Sequence, residues 1–312
     1  MKTRKLIFGL TALVLAGSLM LTSCKKKSKN ENQEEPDKET SSSTDNSYAE
    51  TTVNDIQGIG AQGSENSSLS TYKNPYSESP IMWATCAVVT PSPSLKTFTV
   101  DFGTGCLGQD SKYRSGMLIY SWAASTGSAT AFRHPGFSYS VSAVNYVVDG
   151  YSVQINNKTV TNTTAANFNP TVTPLTWSIA ADIKITKPSS AGGGVITWVC
   201  NRTLKLLNTS DPNVYKGIAL PVDWKLAKLQ VDGTASGSNA AGESYTAVAA
   251  NLVRDFTCTP NSAQLHRHPF VSGTIKYKPG NKLERTIDFG TGTCDFAYTV
   301  EIGGTTYGPF GQ

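Results

Sequence analysis

Asp149-Gly-Tyr151-Ser-Val153-Gln-Ile155-Asn-Asn-Lys-Thr-Val160 is the stretch on which the fold turns. Tyr151, Val153 and Ile155 take every second place, the period of a strand with one buried face. Asp149-Gly150 supplies the positive φ angles of a tight hairpin, and the run before it, Phe137–Asp149, alternates in the same way. Working outward, Ile183-Lys-Ile185-Thr repeats the pattern, and similar segments recur at Lys96–Phe102, Met117–Trp122, Tyr151–Val160, Thr176–Thr186, Val195–Leu206, Leu226–Thr234, Ser244–Val253, Thr274–Lys278, Leu283–Phe289 and Ala297–Ile302. Thr, Val, Tyr and Ile dominate them, as strands prefer. Asp232-Gly233, Pro279-Gly280 and Gly303-Gly304 read as further turns between strands. Connections this short join antiparallel neighbours, because parallel strands need long crossovers. Residues 81–312 are therefore expected to form a single all-β domain, an antiparallel meander; barrel, sandwich and open curved sheet stay open alternatives.

The chain before this domain has a different character. Lys2, Arg4 and Lys5 precede an uncharged apolar run from Leu6 to Leu21, which ends in Leu21-Thr-Ser-Cys24. The run is shorter than the roughly 20 apolar residues of a membrane-spanning helix and matches the core of a secretory signal. Leu followed by two small residues and Cys resembles a bacterial lipobox. Residues 1–23 thus read as a lipoprotein signal peptide, with Cys24 carrying a diacylglyceryl thioether and, on its freed amine, a further acyl chain such as palmitate. Each buried methylene contributes about 0.8 kcal/mol, so several chains hold a protein where one would be marginal. Residues 24–47 contain no large apolar side chain and read as a disordered tether. Tyr48, Val53, Ile56 and Ile59 fall at helical intervals, so residues 48–80 read as a short helix and a linker.

The 312 residues carry a formal charge of +4, and only 16% are charged. Without the three positive charges of the first five residues the net charge is about +1, no footprint for nucleic acid. No G-x-S-x-G elbow, H-E-x-x-H or phosphate-cradling loop occurs. The histidines are His134, His266 and His268, and no third ligand accompanies the close pair. The chain is accordingly read as a non-enzyme without metal or cofactor. A hydrolase is the remote alternative, requiring Asp101, Asp288 and a histidine to converge.

Thr99-Val-Asp101-Phe-Gly103-Thr-Gly105-Cys106 returns near the C-terminus as Thr286-Ile-Asp288-Phe-Gly290-Thr-Gly292-Thr-Cys294. A fainter echo pairs Arg133-His134-Pro135 with Arg267-His268-Pro269. In the DFGTG motif the Asp is expected to bond amides of a glycine turn. With Cys24 acylated, five cysteines remain, which allow fifteen ways of forming two disulfides. The echo points to Cys86–Cys106 and Cys258–Cys294, leaving Cys200 in the core.

The lipobox, polar tether, Cys86-Ala-Val-Val-Thr90, the paired DFGTG motifs, Arg114-Ser-Gly116 and Val271-Ser-Gly-Thr-Ile275 together resemble a family of uncharacterised Bacteroidota lipoproteins. The resemblance implies a β-rich protein of the cell envelope, with the outer membrane as the expected address, and brings no activity or catalytic residue with it. Trp83, Trp122, Trp177, Trp198 and Trp224 are the candidates for a binding surface, since exposed rings stack on sugars or receive apolar ligands. The expected function is a structural or ligand-binding module held to the membrane by lipid, with a glycan, lipid or protein as ligand. The alternative is a periplasmic carrier of an apolar molecule.

Overall fold

The computed structural model describes residues 37–68, 71–72, 86–108, 110–122, 131–258 and 269–312. Helix α1 (Ser41–Asn66) leads into a small ribbon of β1 (Ser67–Ser68) and β2 (Thr71–Tyr72). All later strands form one antiparallel sheet of 14: β3 (Val88–Ser92), β4 (Thr97–Asp101), β5 (Cys106–Leu107), β6 (Tyr113–Trp122), β7 (Ser138–Val148), β8 (Tyr151–Asn162), β9 (Leu175–Thr186), β10 (Val195–Leu206), β11 (Lys228–Ser238), β12 (Ser244–Asp255), β13 (Phe270–Pro279), β14 (Arg285–Thr291), β15 (Ala297–Ile302) and β16 (Thr305–Gly311). Spatial order follows chain order, with β5 as a short side pairing on β6. This is the expected all-β meander. Among the described residues no pairing joins β3 to β16, so the sheet stays open.

The sheet curls because it is bulged repeatedly. Gly116 in β6 has φ +77, opposite Asn145 at φ +51, and Gly273 in β13 has φ +96, opposite Asn251 at φ +52. A Cβ at either glycine would stand 2.1 Å from the carbonyl oxygen of that asparagine. Register shifts at both places, and such bulges bend a strand and raise its twist.

The curl wraps around all but one face of α1. Around the helix, Tyr120 of β6 donates to the Ile56 carbonyl at 2.7 Å, Lys187 beyond β9 reaches Asp45 at 2.6 Å, and Arg202 of β10 pairs with Glu50. Arg254 of β12 meets Asp55 at 3.1 Å, and Arg285 of β14 meets Asp37 at 2.9 Å. Space for the helix is provided by one lateral row of paired residues on the concave face, Lys158, Ala181, Cys200, Ala235, Ala247, Tyr277 and Arg285. Its second to fifth members are small, and β10 is the strand of this sheet that α1 approaches most. Gly60 and Gly63 do the same from the helix side: added Cβ atoms there would stand 2.5 Å from the Tyr120 ring and 2.4 Å from the Phe98 ring.

Three expectations are corrected. The helix begins at Ser41 and ends at Asn66, so it takes in part of the expected tether and linker, and Ser42, Ser43, Asp45 and Asn46 are buried. It belongs to the same unit as the sheet rather than standing before it. Its start is held by Glu39, whose carboxylate accepts from the Ser42 amide at 2.8 Å and the Ser42 hydroxyl at 2.7 Å, a cap that suits the positive end of the helix dipole. Asp232-Gly233 is not a turn but a bulge inside β11, where the ladder shifts between Val231 and Gly233. The edge strands β3 and β16 carry no sequence expectation, because each contains a proline, Pro91 and Pro309, and proline is tolerated only where no ladder amide is needed.

Candidate functional site

The open side of the sheet leaves one face of α1 uncovered. Ser41 and Thr44 are exposed, and Ser47, Tyr48, Thr51, Asn54 and Gly58 are half-buried. Spacings of three and four put these residues on one stripe of the helix. Three hollows follow that stripe. The largest, about 170 Å³, is floored by Thr44, Ser47, Tyr48 and Thr51. One wall is Lys112 and Asp149 beside β6–β8; the other is Phe289, Tyr298 and Gln312 beside β14–β16. Elements from opposite ends of the strand order thus flank one pocket. The second hollow, about 40 Å³, shares Thr51, Lys112 and Gln312 with the first and continues to Arg254. The third, about 30 Å³, shares Arg254 and continues past Asn54 and Gln57 to Trp224. Together they make a groove along the helix from Thr44 to Ala61.

The groove walls are firmly placed. The Asp149 carboxylate accepts from the Tyr113 amide at 2.8 Å, which locks the β7–β8 turn. Gln312 exchanges two side-chain bonds with the Phe270 backbone, both 2.8 Å. Behind the wall, Asp55 is held by Lys112, Arg254 and Arg114, while Arg114 is clamped by Asp110 at 2.8 Å. Burial alone would raise the Asp55 carboxyl; the Lys112, Arg254 and Arg114 charges instead hold it well below the usual carboxylate range. Floor and walls present hydroxyls, carboxamides and aromatic rings, with Lys112 and Arg254 as cations and Asp110 and Asp149 as anions. That set offers hydrogen-bond donors and acceptors along the helix.

Most of the described residues that the sequence singles out fall elsewhere. Trp177 and Trp198 are 0% exposed and Trp224 is 5% exposed, so these three are core rings; only Trp224 touches the groove, at its lower end. Trp177 stacks on Phe132 at 4.6 Å and donates to its carbonyl at 2.8 Å. Trp122 is half-buried, its ring 6.3 Å from that of Phe98. Cys24, Trp83, His266 and His268 lie outside the described residues. Cys86 is bonded to Cys106 and Cys258 to Cys294, and Cys200 is a buried thiol. Asp101 and Asp288 each accept the amide two residues on, Gly103 and Gly290, at 2.8 Å. The repeated motif is therefore the same side-chain turn built twice, once on β4 and once on β14. The His134 ring bonds the Ile218 carbonyl at 3.1 Å, beside Arg133, which donates to the same oxygen at 2.7 Å.

The groove itself has no sequence expectation, because its floor reads as tether and helix and its walls as separate strands. The polar stripe Thr44–Ser47–Thr51–Asn54 is its one trace in the sequence. Among the described residues no helix is long and apolar enough to cross a membrane, and no cluster of three His, Cys, Asp or Glu could hold a metal. No family model, curated protein or solved structure matches the chain.

Proposed function

We propose that the chain is a lipid-anchored module of the cell envelope that binds a glycan segment in the groove along α1. Acyl chains on Cys24 hold it to the membrane, with the outer membrane as the address. The observation that carries the binding reading is the chemistry of the largest hollow. Thr44, Ser47 and Thr51 offer hydroxyls and Gln312 a carboxamide, groups that pair with sugar hydroxyls, beside the half-buried Tyr48 ring that Tyr151 backs at 4.1 Å. A carrier of an apolar ligand is less well supported, since α1 fills the concave side that such a ligand would occupy.

Two measurements test this. Metabolic labelling with palmitate is expected to mark the wild-type product and not Cys24→Ser; an unlabelled wild type removes the anchor. The purified chain, screened on an array of bacterial-envelope and host oligosaccharides, is expected to retain a subset and to lose it in Tyr298→Ala and in Thr51→Arg, which fills the floor. Retention of no glycan, or retention unaffected by both changes, rejects the groove as a glycan site.

A further inference from the structure

Lys158 is a fully buried lysine whose Nζ has no hydrogen-bond partner among the described residues. A bare ammonium in an interior costs several kcal/mol, so such a group calls for a reason. Its neighbours on the concave face are set by the sheet. Lys158 of β8 pairs with Ala181 of β9, and Ala181 pairs with Cys200 of β10. All three are buried on the same face. Two strand spacings separate Lys158 from Cys200, about 10 Å between their Cα atoms. In that row Ala181, with its single methyl, is the residue between them, and a four-carbon lysine stem crosses most of that gap. Glu50 of α1 faces the same pair. Burial lowers the Lys158 ammonium to about 8, so an appreciable share of the nucleophilic free amine exists near neutral pH.

We infer that Lys158 and Cys200 form an oxidation-dependent covalent strap, a nitrogen–oxygen–sulfur bridge from Nζ to Sγ across β9. The oxidant is dioxygen, small and apolar enough to enter a packed interior. In the balanced step, one amine, one thiol and one dioxygen give the bridge and one water. The O–O bond, one N–H and the S–H break; N–O and O–S bonds form; nitrogen and sulfur each lose two electrons, and the four electrons reduce dioxygen. The bridge removes both the unpartnered ammonium and the free thiol from the core, and it ties three central strands beneath Glu50. Reduction by a thiol reagent returns the amine and thiol.

The test is peptide mapping by tandem mass spectrometry of the full chain, purified in air or under nitrogen with reductant. The expected air-purified product joins the Lys158 and Cys200 peptides with a gain of one oxygen and a loss of two hydrogens, and reductant releases them. Lys158→Arg should leave the Cys200 thiol free in air; the wild-type map stands by itself if that variant does not fold. Separate unmodified peptides in air, oxygen on Cys200 alone, or a cross-link lacking the oxygen would each overturn the inference.

Discussion

Replacing Gly60 by alanine separates an enclosed helix from one exposed to water by the sign of a stability change. On a solvent-facing helix, Gly→Ala stabilises by about 1 kcal/mol, because alanine loses less backbone entropy. Here the new methyl would stand 2.5 and 2.9 Å from carbons of the Tyr120 ring and 2.9 Å from the Tyr139 hydroxyl. Favourable carbon contacts lie near 3.5–4.0 Å, so the ring must retreat by roughly 1 Å. Tyr120 is fully buried and its hydroxyl bonds the Ile56 carbonyl, so retreat forces overpacking elsewhere and stretches that bond. Overpacking costs about 1–3 kcal/mol and a hydrogen bond about 1 kcal/mol. Set against the propensity gain, Gly60→Ala is expected to destabilise by about 1–3 kcal/mol. The assay is urea unfolding followed by tryptophan fluorescence, for wild type, Gly60→Ala, Tyr120→Leu and the double variant. In the Tyr120→Leu background, alanine at 60 should cost much less or stabilise. A higher unfolding midpoint for Gly60→Ala in the wild-type background would refute the reasoning.

Three further outcomes follow from the buried charges. Arg202→Met strands Glu50 in the interior and should cost about 3–5 kcal/mol in urea unfolding, while Arg202→Met with Glu50→Met should recover most of it. Asp55 titrates below its unfolded value near 3.8, so its contribution is present above that pH and is lost as pH falls through the folded value. Asp55→Asn should accordingly be less stable than wild type at pH 7 and converge with it on acidification, as thermal unfolding at stepped pH would measure. Lys158 titrates near 8 when folded and 10.5 when unfolded, so between those values the unfolded chain binds more protons and stability rises with pH. Under reductant, Lys158→Met should be more stable than wild type at pH 7 by about 3 kcal/mol, the advantage shrinking toward pH 10.

The strands were legible because the sheet has one buried face. Val195–Leu206 and Ala297–Ile302 alternate so regularly that their bounds can be read directly, and Asp149-Gly150 marks its hairpin by the dihedrals it needs. The edges were hidden by their prolines, and Asp232-Gly233 misleads because a bulge uses the same positive-φ glycine as a turn. The helix was half legible. Val53, Ile56 and Ile59 show its period, but much of its buried surface is Ser, Thr, Asn, Asp and Glu, which read as solvated chain. Those groups are satisfied by partners that lie far along the sequence, Tyr120 for the Ile56 carbonyl, Arg202 for Glu50 and Arg254 for Asp55. Local pattern cannot supply such partners. The groove was illegible for the same reason, since it exists only where β6–β8 and β14–β16 close on one helix.

Native-state hydrogen exchange of the α1 amides tests the enclosed helix most directly. Amides of Thr52–Ile59 should exchange as slowly as those of β9 and β10, opening only with global unfolding, while β16 exchanges faster. Exchange of Thr52–Ile59 within the time of β16, with β9 and β10 still protected, would contradict a helix held inside the sheet.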